Sequence, residues 1–359
     1  MALNYKKLGQ YLRLVDVRNS DLSIVNLQGV SIEKRFIPSI ANIIGTDLST
    51  YKIVRTGQFA YGPVTSRNGD KISIALLDGP DCIISSSYIS FEINNKEELL
   101  PEYLMLWFMR PEFDRYARYM SNGSAREVFD WETMCEVELP VPSIEEQLRI
   151  INGYKAISAR KKVLKSNNEK IYEIANCIFK ANLQKYDDFK ELPLTELFDV
   201  QYGKYIYDKN DDGNNPVYSA GGIVGYKKAY QYDCEKLIVG CRGTCGELYV
   251  TQKHCSITPN SLILNLKMHD DEIFYFYFLM KNYNVKELIT GSVQAQITID
   301  NFIGKNVSFS NNHFLKLNAV CKNAVLSMLF NDKEVSLLDE LEQRYLSTIS
   351  KGEIRHAIV

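Results

Sequence analysis

Between Pro142 and Pro193 the chain contains no proline, and this long window constrains the fold more than any other feature. Ser143 stands three residues ahead of Glu146, the spacing at which each side chain satisfies a free backbone N–H at a helix start. From there roughly forty residues can run as one helix of about 55–60 Å. Ile150, Ile157, Leu164, Ile171 and Ile178 recur every seven residues, Tyr154 and Ala175 hold complementary positions, and Lys161 and Asn168 interrupt the seam. Such a seam needs a partner. The alternative is one helix crossing the core of an ordinary globular domain.

A partner lies at the other end of the chain. From about 312 to 350, Leu317, Cys321, Ala324, Met328, Val335, Leu338, Tyr345 and Ile349 follow an a/d pattern, interrupted by Asn331 and Glu342. Two helices of matching length fit an intramolecular coiled coil, in which polar seam residues act as register devices. They could equally face other chains.

Strand-like runs at 71–77, 82–85 and 88–93 precede a helical stretch, 99–120, that Pro111 should end or kink. The second half repeats this layout, with runs at 236–240, 247–251 and 261–266 before the aromatic helix 271–288. Residues 123–143 and 291–311 align without a gap at an offset of 168. The order is thus domain, helix, domain, helix. The expected boundaries are 1–141, 142–185, 186–311 and 312–359, giving an α+β chain of two similar α/β-type domains. An antiparallel pairing of the two long helices relates the domains by a pseudo-two-fold axis. Two such domains would touch a DNA duplex at places about a helical turn, ~34 Å, apart. The helices then act as a ruler between half-sites.

Composition sets bounds on this picture. Of the 359 residues 45% are hydrophobic and 24% charged, as in ordinary globular protein. No apolar run approaches a membrane span; 273–280 is too short. Eight cysteines without a secretory signal point to reduced thiols and a cytoplasmic location. The net charge of −2 argues against a wholly basic nucleic-acid binder but allows a basic face.

Catalytic signatures are missing. Gly203–Lys204 and Gly304–Lys305 lack the remaining residues of a phosphate-cradling loop, and Gly240, Gly243 and Gly246 do not carry the dinucleotide spacing. No two prolines are adjacent, so the base-methylating Asn/Asp-Pro-Pro-aromatic motif cannot occur. Cys234, Cys241, Cys245, His254 and Cys255 form the best metal candidate, but their spacing is loose and buried free thiols are the preferred reading.

Polar, aromatic and basic loops remain. Tyr61, Thr65, Ser66, Arg67, Asn68 and Lys71 sit in one glycine-punctuated stretch, followed by Ser121, Ser124 and Arg126. The second half offers Lys204, Tyr205, Tyr218, Lys227, Lys228, Arg242, Gln252, Lys253 and His254, with Gln294 and Gln296 in the segment matching Arg126. Arginine on guanine, and Asn or Gln on adenine, are the pairings that base reading requires. Hydroxyls and lysines suit phosphates. Each segment read alone could equally be a solvated surface loop.

The layout resembles the specificity subunit of type I restriction–modification systems over essentially the whole chain. The resemblance rests on 29–77, 100–131, the helix entry PVPSIEEQLRI (140–150), and LFDVQYGKY (197–205), YSAGGIVGY (218–226), CRGTCGELYVT (241–251) and CSITPNSL (255–262). It implies two target recognition domains, each reading half of an interrupted DNA sequence, and a coiled-coil spacer between them. The subunit itself would perform no chemistry and hold no cofactor. Two methyltransferase subunits would dock on it and methylate adenine with S-adenosylmethionine, and two restriction subunits would translocate and cleave DNA using ATP and magnesium. By similarity Tyr61–Lys71 and Ser121–Arg126 would lie at the first half-site. Lys204, Tyr205, Lys227, Lys228, Arg242 and Gln252–His254 would lie near the second. One departure is the bare entry of the second helix, SFSNNHFLKL (308–317), which lacks the Pro-x-Pro and Glu-Glu-Gln signature.

Two other function classes stay open from sequence. One is a DNA-modifying enzyme in its own right, which the purified chain would betray by cleavage or methyl transfer. The other is a coiled-coil adaptor that never touches DNA.

Overall fold

The computed structural model describes residues 5–39, 45–66, 68–121, 127–183, 185–205, 213–267, 272–291 and 294–350. The chain divides into two units, residues 1–161 with 337–359 and residues 162–336. Its strands and helices run, in order, β1 (Tyr5–Lys7), β2 (Leu12–Val15), β3 (Gln28–Val30), β4 (Phe36–Pro38), β5 (Lys52–Val54), β6 (Phe59–Tyr61), β7 (Ile74–Leu76), β8 (Cys82–Ile84), β9 (Ile89–Ile93), α1 (Pro101–Phe108), α2 (Pro111–Met120), α3 (Trp131–Glu136), β10 (Glu138–Pro140) and α4 (Ile144–Leu183). The second half supplies β11 (Lys190–Pro193), α5 (Leu194–Leu197), β12 (Phe198–Tyr202), β13 (Asn215–Ser219), β14 (Gly222–Lys227), β15 (Leu237–Gly240), β16 (Leu248–Val250), β17 (Ser256–Ile257), β18 (Ser261–Leu266), α6 (Ile273–Tyr283), β19 (Asn306–Phe309) and α7 (Asn311–Thr348).

In the first unit a four-stranded antiparallel sheet has the order β2-β9-β6-β7, with Phe59 opposite Leu76 and Tyr61 opposite Ile89. Pro111 does break the helical stretch, since α1 ends at Phe108 and α2 opens on the proline. Helix α1 is buried nearly all round. Its Leu104, Trp107 and Phe108 share one core with Phe59 and Phe91 from the sheet and with Ile150, Ile151, Tyr345 and Leu346 from the long helices. An apolar helix short of a bilayer is explained by such double coverage.

The second unit repeats the arrangement. Its sheet has the order β12-β18-β15-β16. Helix α6 packs Phe274, Tyr275, Phe276 and Phe278 into a core with Leu237 and Val239 from the sheet and with Phe179, Phe314, Leu317 and Cys321 from the long helices. Among the described residues no helix is long and apolar enough to cross a membrane.

Within each unit α4 and α7 run antiparallel. In the first unit Tyr345 Oη donates to Ile150 O at 3.0 Å, and Lys161 pairs with Asp339 (2.5 Å) and Glu342. In the second, Asn168 Nδ2 donates to Met328 O (3.2 Å) and Asp332 Oδ1 (2.7 Å), while Asn331 Nδ2 donates to Asn168 Oδ1 (2.7 Å). The polar seam residues thus answer one another.

Ile150, Leu164, Leu317, Val335 and Tyr345 are buried, and Ile157, Ile171, Met328 and Leu338 partly so. Ile178 departs from the expected seam. It is 39% exposed, whereas Phe179 beside it is 1% exposed. An ordinary helix drifts about 20° per heptad from a strict seven-residue repeat, and by the fifth repeat the buried stripe has moved on one residue.

Both helix entries are built. Ser143 Oγ accepts from the Glu146 N–H at 3.3 Å, and the Glu146 carboxylate forms an ion pair with Arg149. Gln147, fully buried, accepts from Leu100 N–H (2.8 Å) and donates to Glu98 O (2.8 Å) and Pro142 O (2.9 Å). The second entry is not bare. Ser310 Oγ accepts from His313 N–H (3.0 Å), and Asp188 accepts from Ser310 Oγ and from Asn312 N–H (3.2 Å). His313 follows, buried, with Nδ1 2.8 Å from Tyr275 Oη and Nε2 3.1 Å from Phe179 O.

Candidate nucleic-acid interface

In the second unit several loops converge at one end of the sheet, where β12 and β15 finish and β18 begins. Two glycines permit the approach. A Cβ on Gly203 would lie 2.3 Å from Thr258 O, and one on Gly240 would lie 2.3 Å from Thr244 O and 2.7 Å from Ala220 O. Further bonds close the cluster. Thr258 Oγ1 bonds Ser219 Oγ at 2.9 Å, Cys241 N–H and Arg242 N–H both donate to Asn260 O (2.8 and 3.3 Å), and Ile297 N–H donates to Cys241 O (3.0 Å).

This end carries Lys204 and Arg242, both exposed, the half-buried Tyr205, and Gln296, which forms an isolated antiparallel bridge with Arg242. Gln294, exposed, precedes it in the same loop. The Arg242 guanidinium lies 5.8 Å from the Tyr202 ring centroid, within cation–π range. A planar fork of donors on a rigid backbone can address a base edge or a phosphate. Thr244, Asn260 and Tyr202 belong to this cluster and were not singled out from sequence. Only the Thr-Pro-Asn turn at 258–260 hinted at it.

The register places other expected residues elsewhere. Leu237 pairs with Val250, so Gln252, Lys253 and His254 follow the opposite end of the sheet. Lys227 pairs with Asn215, at the end of the β13–β14 hairpin remote from its tip, and exposed Lys228 follows it. Lys253 and His254 are exposed, His254 with φ 54° and its ring 4.7 Å from that of Tyr230. Tyr218 and Lys227 are buried, Tyr218 Oη accepting the Gln252 N–H at 3.1 Å. The expectation that these two face DNA is corrected: their strands, β13 and β14, bury them.

The first unit shows the same loop frame. Gly62 N–H donates to Ser73 O (2.9 Å), Val64 bridges Val128, and Phe129 N–H donates to Pro63 O (2.8 Å). Ser66 and Lys71 are exposed and Asn68 partly so. Lys71 lies 3.2 Å from Glu33. Three expectations are corrected here. Tyr61 continues β6 into the core at 0% exposure, where burial drives its phenol pKa far up. Thr65 is buried with Oγ1 donating to Glu127 O (2.9 Å), and Ser121 is buried with Oγ donating to Ala117 O (2.6 Å). Arg67, Ser124 and Arg126 lie outside the described residues.

Beside this loop an open groove of about 870 Å³ is lined by Lys34, Lys71, Asp114, Arg115, Arg118 and Tyr119, among others. Its charges are committed. Lys34 Nζ donates to Asp114 (2.5 Å) and Ile72 O (2.9 Å), and Arg118 pairs with Glu127 at 2.5 Å.

Cys241 and Cys255 offer no thiolate. Burial pushes the Cys241 and Cys255 thiols up to about 11, so both stay protonated at neutral pH. Among the described residues no three His, Cys, Asp or Glu side chains are grouped to hold a metal.

Residues 186–309 match the family model described as type I restriction modification DNA specificity domain. The fold is similar to the crystal structure of the type I restriction-modification system S subunit from M. genitalium, at 15% identity and a TM-score of 0.59, over 97% of this chain and 96% of that one. The HsdS subunit from Thermoanaerobacter tengcongensis matches at 16% identity and a TM-score of 0.42, over 98% and 97% of the two chains. A structure describing complex assembly and conformational transition of the type I R-M system matches at 16% identity and 0.45, over 97% and 98%. No curated protein matches the sequence.

Proposed function

We propose that this chain is a DNA specificity subunit of a type I restriction–modification system, a reading supported by the match of residues 186–309 to the DNA specificity domain model and by the likeness of its fold to an S subunit. Each unit reads one half of a bipartite, gapped DNA target. The observation that carries this reading is one loop frame built twice from different residues: Val64 bridged to Val128 in one unit, Arg242 bridged to Gln296 in the other. Two equal frames with unequal side chains suit an asymmetric pair of half-sites. Of the expected contacts, Ser66, Asn68 and Lys71 serve the first half-site. Lys204, Tyr205, Arg242, Gln294 and Gln296 serve the second, with Lys228, Gln252, Lys253 and His254 contacting flanking backbone.

The subunit is non-catalytic and works in the cytoplasm. The long helices carry the chain between the units, fix the number of base pairs between half-sites, and dock two methyltransferase subunits. Exposed apolar side chains such as Ile174 (63%) and Phe330 (70%) support the docking role. S-adenosylmethionine serves adenine methylation on those partners, and ATP with magnesium serves two restriction subunits. A chain of net charge −2 leaves much of the phosphate affinity to the partners.

Binding of a fluorescent duplex by the chain alone and by the co-purified methyltransferase complex tests the proposal. The complex should bind with a steep salt dependence and prefer one sequence. The chain alone, given S-adenosylmethionine, ATP and magnesium, should neither methylate nor cleave. Methyl transfer by the chain alone would favour the enzyme reading, and a complex indifferent to DNA the adaptor reading.

A further inference from the structure

The internal repeat can be followed to single positions, and at one of them the two units differ in kind. From β6 the chain passes through Gly62 and Pro63 to Val64; from β15 it passes through Gly240 and Cys241 to Arg242. Gly62 N–H donates to Ser73 O (2.9 Å) as Gly240 N–H donates to Glu247 O (2.8 Å). Phe129 N–H donates to Pro63 O (2.8 Å) as Ile297 N–H donates to Cys241 O (3.0 Å). Arg242 therefore corresponds to Val64, and Gln296 to Val128, the second pair at the same offset of 168 along the chain.

The side chains of Arg242, Gln296 and Val64 are displayed to different degrees. Arg242 is exposed and forms no ion pair with a described carboxylate, whereas Lys71, Arg115 and Arg118 are paired with Glu33, Glu112 and Glu127. Its backbone is held by Asn260 O and its guanidinium is steered by the Tyr202 ring. Gln296 exchanges two backbone hydrogen bonds with Thr290, both 2.9 Å, which fixes where its partly exposed amide starts. Val64 leaves an isopropyl group 44% exposed in a loop that also carries Ser66, Asn68, Asp70 and Lys71. An exposed valine clamped into a polar loop suits an apolar contact.

Resting on the reading of each unit as a DNA reader, we infer that this bridge is the specificity-determining position of both. In the second unit Arg242 donates its planar fork to O6 and N7 of a guanine, and Gln296 pairs with an adjacent adenine through N6 and N7. In the first unit Val64 packs against a thymine methyl. The half-site read by the second unit then carries a G·C pair where the half-site read by the first carries an A·T pair.

The test uses the full chain assembled with its methyltransferase partners and a duplex bearing the wild-type target, challenged by duplexes altered one base pair at a time. Arg242→Ala should lower discrimination at one G·C pair of one half-site by roughly five- to 150-fold and leave the other half unchanged. Arg242→Lys keeps the charge but not the fork, and should lose the same discrimination. Val64→Ser should weaken discrimination only in the other half, at an A·T pair. Arg242→Lys behaving as wild type, with Arg242→Ala weakening all duplexes alike, makes Arg242 a phosphate contact and overturns the inference; so does a change spread over both halves. If Arg242→Ala melts early by circular dichroism, Arg242→Lys decides. A wild-type complex with no sequence preference would remove the reader role itself, a different failure.

Discussion

Replacing Gln147 by leucine should loosen the first unit by a definable amount. Its amide is fully buried and makes three hydrogen bonds to Leu100 N–H, Glu98 O and Pro142 O, tying the start of α4 to the loop that opens α1. Each such bond contributes about 0.5–1.5 kcal/mol net, and the orphaned Leu100 N–H adds part of a desolvation penalty. Two carbonyls retain spare capacity to find water, so the sum falls at about 2–4 kcal/mol. The assay is specific, because the chain's two tryptophans, Trp107 and Trp131, both belong to the first unit. Urea unfolding followed by tryptophan fluorescence should shift its midpoint down by about 1–2 M, taking a slope near 2 kcal/mol/M. Gln147→Glu sharpens the point. Its carboxylate would face two carbonyl oxygens, so its folded-state pKa would lie above the unfolded value near ~4.3. The folded state then binds more protons, and stability is lost as pH rises through that range. A Gln147→Leu midpoint within about 0.3 M of wild type would mean that the buried amide does not hold α4 to the loop before α1.

Further outcomes follow from the other buried polar contacts. Glu342 is 9% exposed and is met by Lys161 and by Ser158 Oγ at 3.3 Å. Lys161→Met should cost about 3–5 kcal/mol on the same fluorescence signal, and adding Glu342→Leu should recover most of it; no recovery would mean that the pair does not act as a unit. His313 is neutral in the fold, since burial lowers its pKa despite the Phe179 carbonyl and Asp188. With the folded value below the unfolded ~6.5, the unfolded state binds the extra proton and stability falls as pH drops below that value. Between pH 7.5 and 5.5 the wild-type chain should lose more thermal stability than His313→Gln; equal losses would remove His313 as the cause. Inserting one heptad into each long helix adds about 10 Å, and should lengthen the recognised gap by about three base pairs; an unchanged gap in a methylation-competent variant would end the ruler idea.

The features legible in sequence were those set by local chemistry. Proline placement announced the break at Pro111 and the start of α4, heptad spacing announced that the two long helices pair, and the ungapped match at an offset of 168 announced the Val128 and Gln296 half of the repeated loop frame. Side-chain direction was not legible. Tyr61 reads as a loop aromatic but extends β6 by the residue that turns it inward, and Lys227 reads as a surface cation but ends a strand at a buried position. The role of Gln147 stayed hidden because its partners lie far off along the chain. The same holds for Asn260, whose carbonyl accepts from Arg242 N–H although it lies eighteen residues further along the chain.

One chain is expected to read two different half-sites. Co-expressing it with its methyltransferase partners in a methylation-free host, and mapping methylated adenines across that genome by long-read sequencing, tests this most directly. The methylated adenines should define a single asymmetric motif with two specified blocks and an unspecified gap of fixed length. A contiguous or palindromic motif, or a motif unchanged when this chain is omitted, would contradict it.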